Sequence, residues 1–123
     1  MKLSVGERRR ERWRRLLEKA REWARELARE LREKSVVVEE ILLFGSVARG
    51  NFAEDSDMDL VVVSRSWEKY SLEERLAILY RLWRWERDAT LIPPTSEELE
   101  EKKEKSIVLR DASMYWLGSY RCT

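Results

Sequence analysis

The stretch LLFGSVARGNFAEDSDMDLVVVS, residues 42–64, constrains the fold of this chain more than any other part of the sequence. Two apolar runs typical of β-strands flank a Gly-Ser pair, ten further residues, and two aspartates, Asp57 and Asp59. Side chains at positions i and i+2 of a strand point to the same side of the sheet. Because two neighbouring carboxylates repel each other, we predict that a cation neutralises Asp57 and Asp59.

Hydrophobic periodicity and capping motifs predict the other elements. The predicted strands cover residues 36–44, 58–64 and 87–92, and the predicted helices cover 4–33, 71–83, 95–105 and 106–118, with a short helical turn at 46–50. This order predicts a small α/β (α+β) domain. We interpret residues 1–123 as one domain, with an N-terminal amphipathic helix (1–34), a catalytic core (35–95) and C-terminal helices (96–123).

The composition excludes several kinds of chemistry. The chain has no histidine and a single cysteine, Cys122, so His-based or zinc hydrolysis and an intrachain disulfide are excluded.

The sequence also has no apolar run of about 18 residues, which predicts a soluble, cytoplasmic protein without a membrane span. Charged residues make up 40% of the chain, a proportion that suits a protein from a thermophile.

The charge is distributed unevenly along the sequence. Residues 1–34 contain 13 Lys and Arg against 7 Glu, and residues 35–123 contain 12 against 17 acidic residues. A helix of nearly 30 residues would be about 43 Å long, more than a small domain can cover. We therefore expect the first turns of the helix to project from the domain or to contact a partner. Such a helix also predicts that the chain associates with itself or with another protein. The basic residues of this helix would contact nucleic acid, an acidic partner or only solvent.

Gly45 and Ser46 lie where the first predicted strand meets the helical turn. Glycine allows a ligand to approach the backbone closely, and the start of a helix offers free N–H groups to an anion. Taken alone, the pair is explained better by a glycine turn with a serine cap. Arg49 follows, and it would either bind phosphate or pair with Glu54 or Asp55.

Gly45-Ser46, ten residues, and then Asp57-Met58-Asp59 resemble the G-S-x10-D-x-D signature of the minimal nucleotidyltransferases in the DNA polymerase beta superfamily. The resemblance implies a small mixed sheet with helices packed on one side. It also implies that the Gly-Ser turn binds the triphosphate of a nucleotide and that Asp57 and Asp59 hold two Mg²⁺ ions. A substrate hydroxyl would attack the α-phosphorus, and pyrophosphate would leave.

This sequence departs from the family's pattern at the third carboxylate. The register of ATLIPPT puts Thr90 where the family has an aspartate. Asp88 lies two residues earlier on the same face of the strand, about 7 Å back along it, and a bulge could bring Asp88 into the metal site. Otherwise Asp88 pairs with Arg87 or Arg84, and the site has two metal ligands.

By resemblance, the chain would transfer AMP from ATP to a hydroxyl, and the acceptor would be a tyrosine of a HEPN-domain toxin that this antitoxin neutralises. One alternative is a module that binds Mg-ATP or its partner without transferring anything. Addition of nucleotides to RNA ends is a third possibility, which the basic helix allows but the small size does not favour.

Most of the six tryptophans are predicted to lie in the core or at an interface. Trp83 and Trp116 fall on predicted helices, whereas Trp67 and Trp85 are predicted to be exposed.

Overall fold

A computed structural model describes residues 2–105 and 114–120 of the chain. Its elements, in chain order, are α1 (Val5–Glu33), β1 (Glu40–Phe44), α2 (Gly45–Arg49), β2 (Met58–Val63), a 3-10 helix (Arg65–Lys69), α3 (Leu72–Leu82), β3 (Ala89–Ile92), α4 (Ser96–Lys105) and β4 (Tyr115–Ser119). The strands β1 and β3 are shorter than the sequence predicts, while α1 and α3 end within one residue of their predicted C-termini.

The four strands form one mixed sheet in the order β3-β2-β1-β4. Strand β1 is antiparallel to both of its neighbours, whereas β2 and β3 run parallel. The predicted α+β class, the mixed sheet and the long N-terminal helix are thus confirmed.

The main core lies between one face of the sheet and the helices α1, α2 and α3. Leu27 and Leu31 of α1 are fully buried against that face together with Ile41, Leu43 and Leu60 of the strands. The opposite face carries a smaller cluster, in which α4 supplies one leucine; its members are Leu42, Val61, Val63 and Leu99. The end of that face nearest Asp57 and Asp59 is less covered, and the candidate site lies there.

Helix α1 extends beyond the rest of the protein at its N-terminus. Burial begins at Leu16, so the first three turns are largely exposed and Val5 is 73% exposed. The Trp13 indole N–H donates to the carbonyl of Val47 at 2.7 Å and fastens the third turn of the helix to α2. The prediction that the first turns project is confirmed. Within residues 2–105 and 114–120, neither α1 nor another helix combines the length and apolarity needed to cross a membrane.

Reciprocal capping boxes begin three of the helices, as the sequence predicts. In each, the hydroxyl of the N-cap residue accepts a bond from a backbone N–H, and the glutamate three residues later accepts one in return. The pairs are Ser4 with Glu7, Ser71 with Glu74, and Thr95 with Glu98.

The prediction of a helix over residues 106–118 is wrong at its C-terminal end. Tyr115–Ser119 forms β4, which pairs antiparallel with β1 and is the outermost strand on that side of the sheet. Aromatic residues favour strands, and hydrogen bonds to the otherwise open edge of β1 outweigh the local helical pattern. Residues 106–113 of the predicted helix and Cys122 lie outside the described residues.

Arg75 of α3 ties three segments together from a buried position. Its guanidinium donates to the carbonyl of Tyr70 at 3.0 Å, to the carbonyl of Pro93 at 3.1 Å and to the Glu98 carboxylate at 2.6 Å. These bonds connect the start of α3 to the Pro-Pro turn and to the first turn of α4. The arginine therefore fixes how the chain leaves β3.

Replacing Arg75 with methionine is expected to lower the free energy of unfolding by about 2 kcal/mol or more, since buried carbonyl groups lose their donors. Urea unfolding at pH 7 measures the loss. Arg84→Met is the matched control, because Arg84 also bridges glutamates, Glu26 and Glu30, but its side chain is 52% exposed. Exposed ion pairs contribute little, so a loss at Arg84 equal to that at Arg75 would contradict this account.

The same contact predicts a pH dependence of stability. The hydrogen bond from Arg75 is the largest cause that holds the pKa of Glu98 below its ordinary value of 4.5. Because the folded pKa is the lower one, the stabilisation is present above pH 4.5 and is lost as pH falls through the folded pKa. Glu98→Gln should therefore be less stable than the native chain at pH 7, and the gap should narrow below pH 4.5. A gap that stays constant down to pH 3 would contradict the assignment.

Tyr80 of α3 covers the outer edge of β3. Its hydroxyl donates to the carbonyl of Ala89 at 3.2 Å and accepts a bond from the N–H of Leu91 at 2.9 Å. These two backbone groups flank Thr90 on the side away from β2, so the hydroxyl occupies the pairing position that a further strand would use.

Candidate active site

Asp57 and Asp59 lie at the start of β2, on the less covered face of the sheet. The fully buried Met58 between them points into the core, so the two carboxylates lie on the opposite side. Asp57 is exposed and Asp59 is half-buried. Residue 59 pairs with Phe44 of β1 on one side and with Thr90 of β3 on the other.

Gly45 allows the Asp59 carboxylate to lie directly against the backbone. Its φ of +77° belongs to the left-handed region, where other residues are strained. A Cβ atom at this position would overlap Oδ2 of Asp59 and lie only 3.1 Å from the carboxyl carbon. Position 45 therefore requires glycine for two independent reasons, its backbone angle and the space that Asp59 occupies.

Burial and the nearby Asp57 charge both raise the pKa of Asp59, and burial is the larger cause. A hydrogen bond donated by the Thr90 hydroxyl and the positive charge of Arg49 act in the opposite direction on the same pKa. Asp59 thus lies in partly desolvated surroundings beside a second carboxylate, and a bound cation would relieve the repulsion between the two.

Arg49 and Ser46 flank this pair from α2. Arg49, the last residue of α2, is exposed and close enough for its charge to act on Asp59. In the described part of the chain, no ion pair joins Arg49 to Glu54 or Asp55, the pairing considered from sequence. Ser46 is half-buried in the first turn, and its carbonyl accepts a bond from the N–H of Asn51 at 2.9 Å.

Thr90, and not Asp88, occupies the position beside Asp59. The parallel pairing of β2 with β3 aligns residues 59 and 90. Asp88 precedes β3, where its carbonyl accepts a bond from the N–H of Met58 at 2.8 Å and its side chain lines a cleft next to α1. Across residues 2–105 and 114–120, no cluster of three acidic, histidine or cysteine side chains could hold a metal ion. The structure therefore does not bring Asp88 together with Asp57 and Asp59.

Arg87 and Thr90 support the site in roles that the sequence did not predict. Arg87 donates to the carbonyl of Ser56 at 2.6 Å and so holds the residue before Asp57. Thr90 orients Asp59 through its hydroxyl, a role that only the strand pairing shows. The Ser56 hydroxyl accepts a bond from the N–H of Ala53 at 2.8 Å, so Ser56 stabilises the turn before Asp57.

Three tryptophans differ from their predicted surroundings. Trp67 is fully buried, because its indole N–H donates to the Val62 carbonyl at 3.0 Å and its ring packs against Tyr70. Trp116, expected on a helix, lies instead on β4 and is 55% exposed. Trp85 is half-buried and packs against Trp23 and Trp83.

The donor set suits magnesium. Mg²⁺ prefers hard oxygen ligands and commonly binds through one or two protein carboxylates, with water and substrate phosphates completing the octahedron. Asp57 and Asp59 supply two such carboxylates, and the absence of a Cβ atom at Gly45 lets the Asp59 carboxylate lie against the turn. The residues present therefore fit a magnesium ion that is bound together with a phosphate ligand.

Comparison with known proteins agrees with this geometry. A crystal structure from Sulfolobus solfataricus, of a protein provisionally identified as a nucleotidyltransferase, superposes with a TM-score of 0.62 at 22% sequence identity; the match covers 96% of this chain and 93% of that one. At this identity, the likeness shows the fold. No protein with a curated description matches the chain. The model of the nucleotidyltransferase domain family matches residues 24–113, which include the Gly-Ser turn and both aspartates. The chain belongs to the nucleotidyltransferase domain family.

Proposed function

We propose that this chain is a magnesium-dependent nucleotidyltransferase that moves AMP from ATP to a hydroxyl group. The close approach of Asp59 to Gly45 supports the proposal most directly, since it places a carboxylate against the turn that would hold the triphosphate. A purely structural glycine turn does not need an acidic side chain in the space that a Cβ atom would otherwise fill.

In this proposal, the chain's own residues bind and orient the nucleotide. Asp57 and Asp59 hold the magnesium, and the backbone and hydroxyl of the Gly45-Ser46 turn bind phosphate oxygens. Arg49 adds a positive charge on the same side. When bound, Mg²⁺ neutralises the triphosphate and stabilises the charge that develops on the departing pyrophosphate. Thr90 and Arg87 restrict the motion of Asp59 and of the residue preceding Asp57.

We further propose that the acceptor is a tyrosine of a HEPN-type toxin and that the chain acts as its antitoxin. The first turns of α1 support a protein partner. They are exposed and precede the part of the chain that the family model matches, and together with Leu3 just before the helix they combine apolar side chains with arginines. Such a mixed surface suits recognition of another protein.

The proposal is tested with ATP labelled at the α-phosphate and Mg²⁺, using the chain alone and together with a HEPN-domain protein. Label on a partner tyrosine is the expected result, and it should disappear in the Asp57→Asn/Asp59→Asn double variant. Retention of the label in that variant would exclude these aspartates as the metal ligands. Absence of label on every protein, with tight binding of Mg-ATP, would support the second candidate function.

That second candidate is a module that binds Mg-ATP or the partner and transfers nothing. The position of Thr90 favours it, because a hydroxyl stands beside Asp59 where the resembling family has its third carboxylate. Two carboxylates are enough to hold magnesium with a nucleotide, whereas proton removal from the attacking hydroxyl would lack an adjacent base.

Replacing Thr90 with aspartate is expected to raise both magnesium affinity and transfer rate, by about tenfold or more. The new carboxylate would lie next to Asp59 and add a third hard ligand. The measurement is the dependence of transfer rate on Mg²⁺ concentration, with magnesium binding followed by calorimetry. Equal or lower affinity in Thr90→Asp would show that this position does not reach the metal.

Asp88→Asn is the companion variant for this experiment. Since Asp88 lies outside the group formed by the other two aspartates, we expect its transfer rate to stay close to the native value. A loss as large as that of Asp57→Asn would instead assign the third ligand to Asp88 and require the start of β3 to move.

A further inference from the structure

An apolar strip continues from Asp59 across the less covered face of the sheet. Phe44 of β1 is the cross-strand partner of Asp59, and Met114 packs with Phe44 against the small cluster on that face. Beyond them lies Trp116 of β4, which pairs with Leu42. Phe44 and Met114 are half-buried, whereas Trp116 is the exposed large apolar side chain of the sheet in the described residues.

Strand pairing places Trp116 on the same face as Asp59. Leu42 and Phe44 are two residues apart on β1 and so point to the same side, and cross-strand partners share a face. Two strand spacings separate Trp116 from Asp59 across the sheet, with two residues of offset along it, so their Cα atoms lie about 12 Å apart. That span is comparable to the distance between the phosphates and the base of a nucleotide.

The direction of the chain agrees with this placement. Strand β1 runs from Leu42 through Phe44 into Gly45, so the phosphate-binding turn lies at one end of the strip and Trp116 at the other. A nucleotide with its triphosphate at Gly45 and its α-phosphate near Asp59 can extend its nucleoside over Phe44 towards β4. An exposed indole there offers a flat π surface, which binds every base by stacking.

We propose that Trp116 is the platform on which the base of the bound nucleotide stacks, with Phe44 and Met114 as the apolar floor leading to it. This inference rests on the proposed function, because it assigns the base subsite of the same active site. It implies that purine nucleotides, which have the larger stacking surface, bind more tightly than pyrimidine nucleotides.

The test separates the base from the phosphates. The full-length chain is titrated by calorimetry with Mg²⁺ and α,β-methylene-ATP, which cannot donate AMP, and in parallel with Mg²⁺ and tripolyphosphate. Trp116→Ala is expected to lower the affinity for the nucleotide analogue by about ten- to a hundredfold. Its affinity for tripolyphosphate should stay the same. Trp116→Phe should restore most of the affinity, because a phenyl ring still stacks.

Leu72→Ala, which truncates a similarly exposed apolar side chain on α3, is the control and should bind both ligands like the native chain. If Trp116→Ala binds the analogue as tightly as the native chain does, the base subsite is wrong and the proposed function stands. If the native chain binds the analogue and tripolyphosphate with equal affinity, the base contributes nothing, and the base subsite is again wrong while the proposed function stands. If the native chain binds neither ligand, the proposed function and the base subsite fall together.

Discussion

Replacing either Asp57 or Asp59 with asparagine is expected to abolish nucleotidyl transfer, with a loss of about 10³-fold or more. An amide has nearly the same shape as a carboxylate but no charge, so it binds Mg²⁺ far more weakly. The fold should survive, because Asp57 is exposed. At position 59, burial already raises the carboxyl pKa, so a neutral side chain is well tolerated there.

The matched control is Asp55→Asn, which removes the same charge from an exposed turn two residues before Asp57. Transfer from α-labelled ATP is measured for all three variants, and thermal unfolding shows whether each is folded. We expect Asp55→Asn to retain the native rate. If it lost as much activity as the other two, the effect would come from the overall charge of the loop and not from metal binding.

Gly45→Ala is expected to eliminate binding of Mg-nucleotide, because the new methyl group and the Asp59 carboxylate cannot share the same space. A Cβ atom at position 45 would overlap Oδ2 of Asp59, so Asp59 has to swing away or the turn has to deform. Either movement takes a metal ligand out of place. The positive φ adds a backbone strain of about 1 kcal/mol or more.

Gly50 provides a control with nearly the same strain. It ends α2 at a φ of +75°, and a Cβ atom there would lie 3.3 Å from the ring of Trp13, away from the two aspartates. Gly50→Ala should therefore lose a similar amount of stability in urea unfolding yet still bind Mg-nucleotide. If both variants lost Mg-nucleotide binding equally, backbone strain in α2 would be the cause. The overlap between a Cβ atom at position 45 and Asp59 would then not explain the loss.

The elements that sequence patterns predicted well are those encoded locally. Capping boxes and a three- and four-residue apolar repeat were sufficient for α1 and α3, because these signals depend on neighbours within one or two turns. The Gly-Ser and Asp-x-Asp pairs were also found from the sequence, because both stand at the ends of apolar strands and their ten-residue separation matches the family signature. Their contact across the sheet, between Gly45 and Asp59, could not be derived from spacing.

The features that sequence patterns missed depend on pairing between distant segments. Residues 115–119 were assigned to a helix, and only the open edge of β1 makes them a strand. The choice between Asp88 and Thr90 required the register of β3 against β2, which is set by hydrogen bonds and not by composition. Trp67 was predicted to be exposed, but a bond to the carbonyl of Val62 on β2 holds it in the core.

The hydroxyl of Tyr80 has a consequence for how copies of this chain can associate. An exposed edge strand invites a strand from another molecule to extend the sheet. On β3, such a strand would first have to displace the phenol from Ala89 and Leu91 and give up two hydrogen bonds, a penalty of about 1–3 kcal/mol. A single side chain thereby protects the protein from edge-to-edge aggregation beside its candidate site, without a proline, a bulge or a charge on the strand itself.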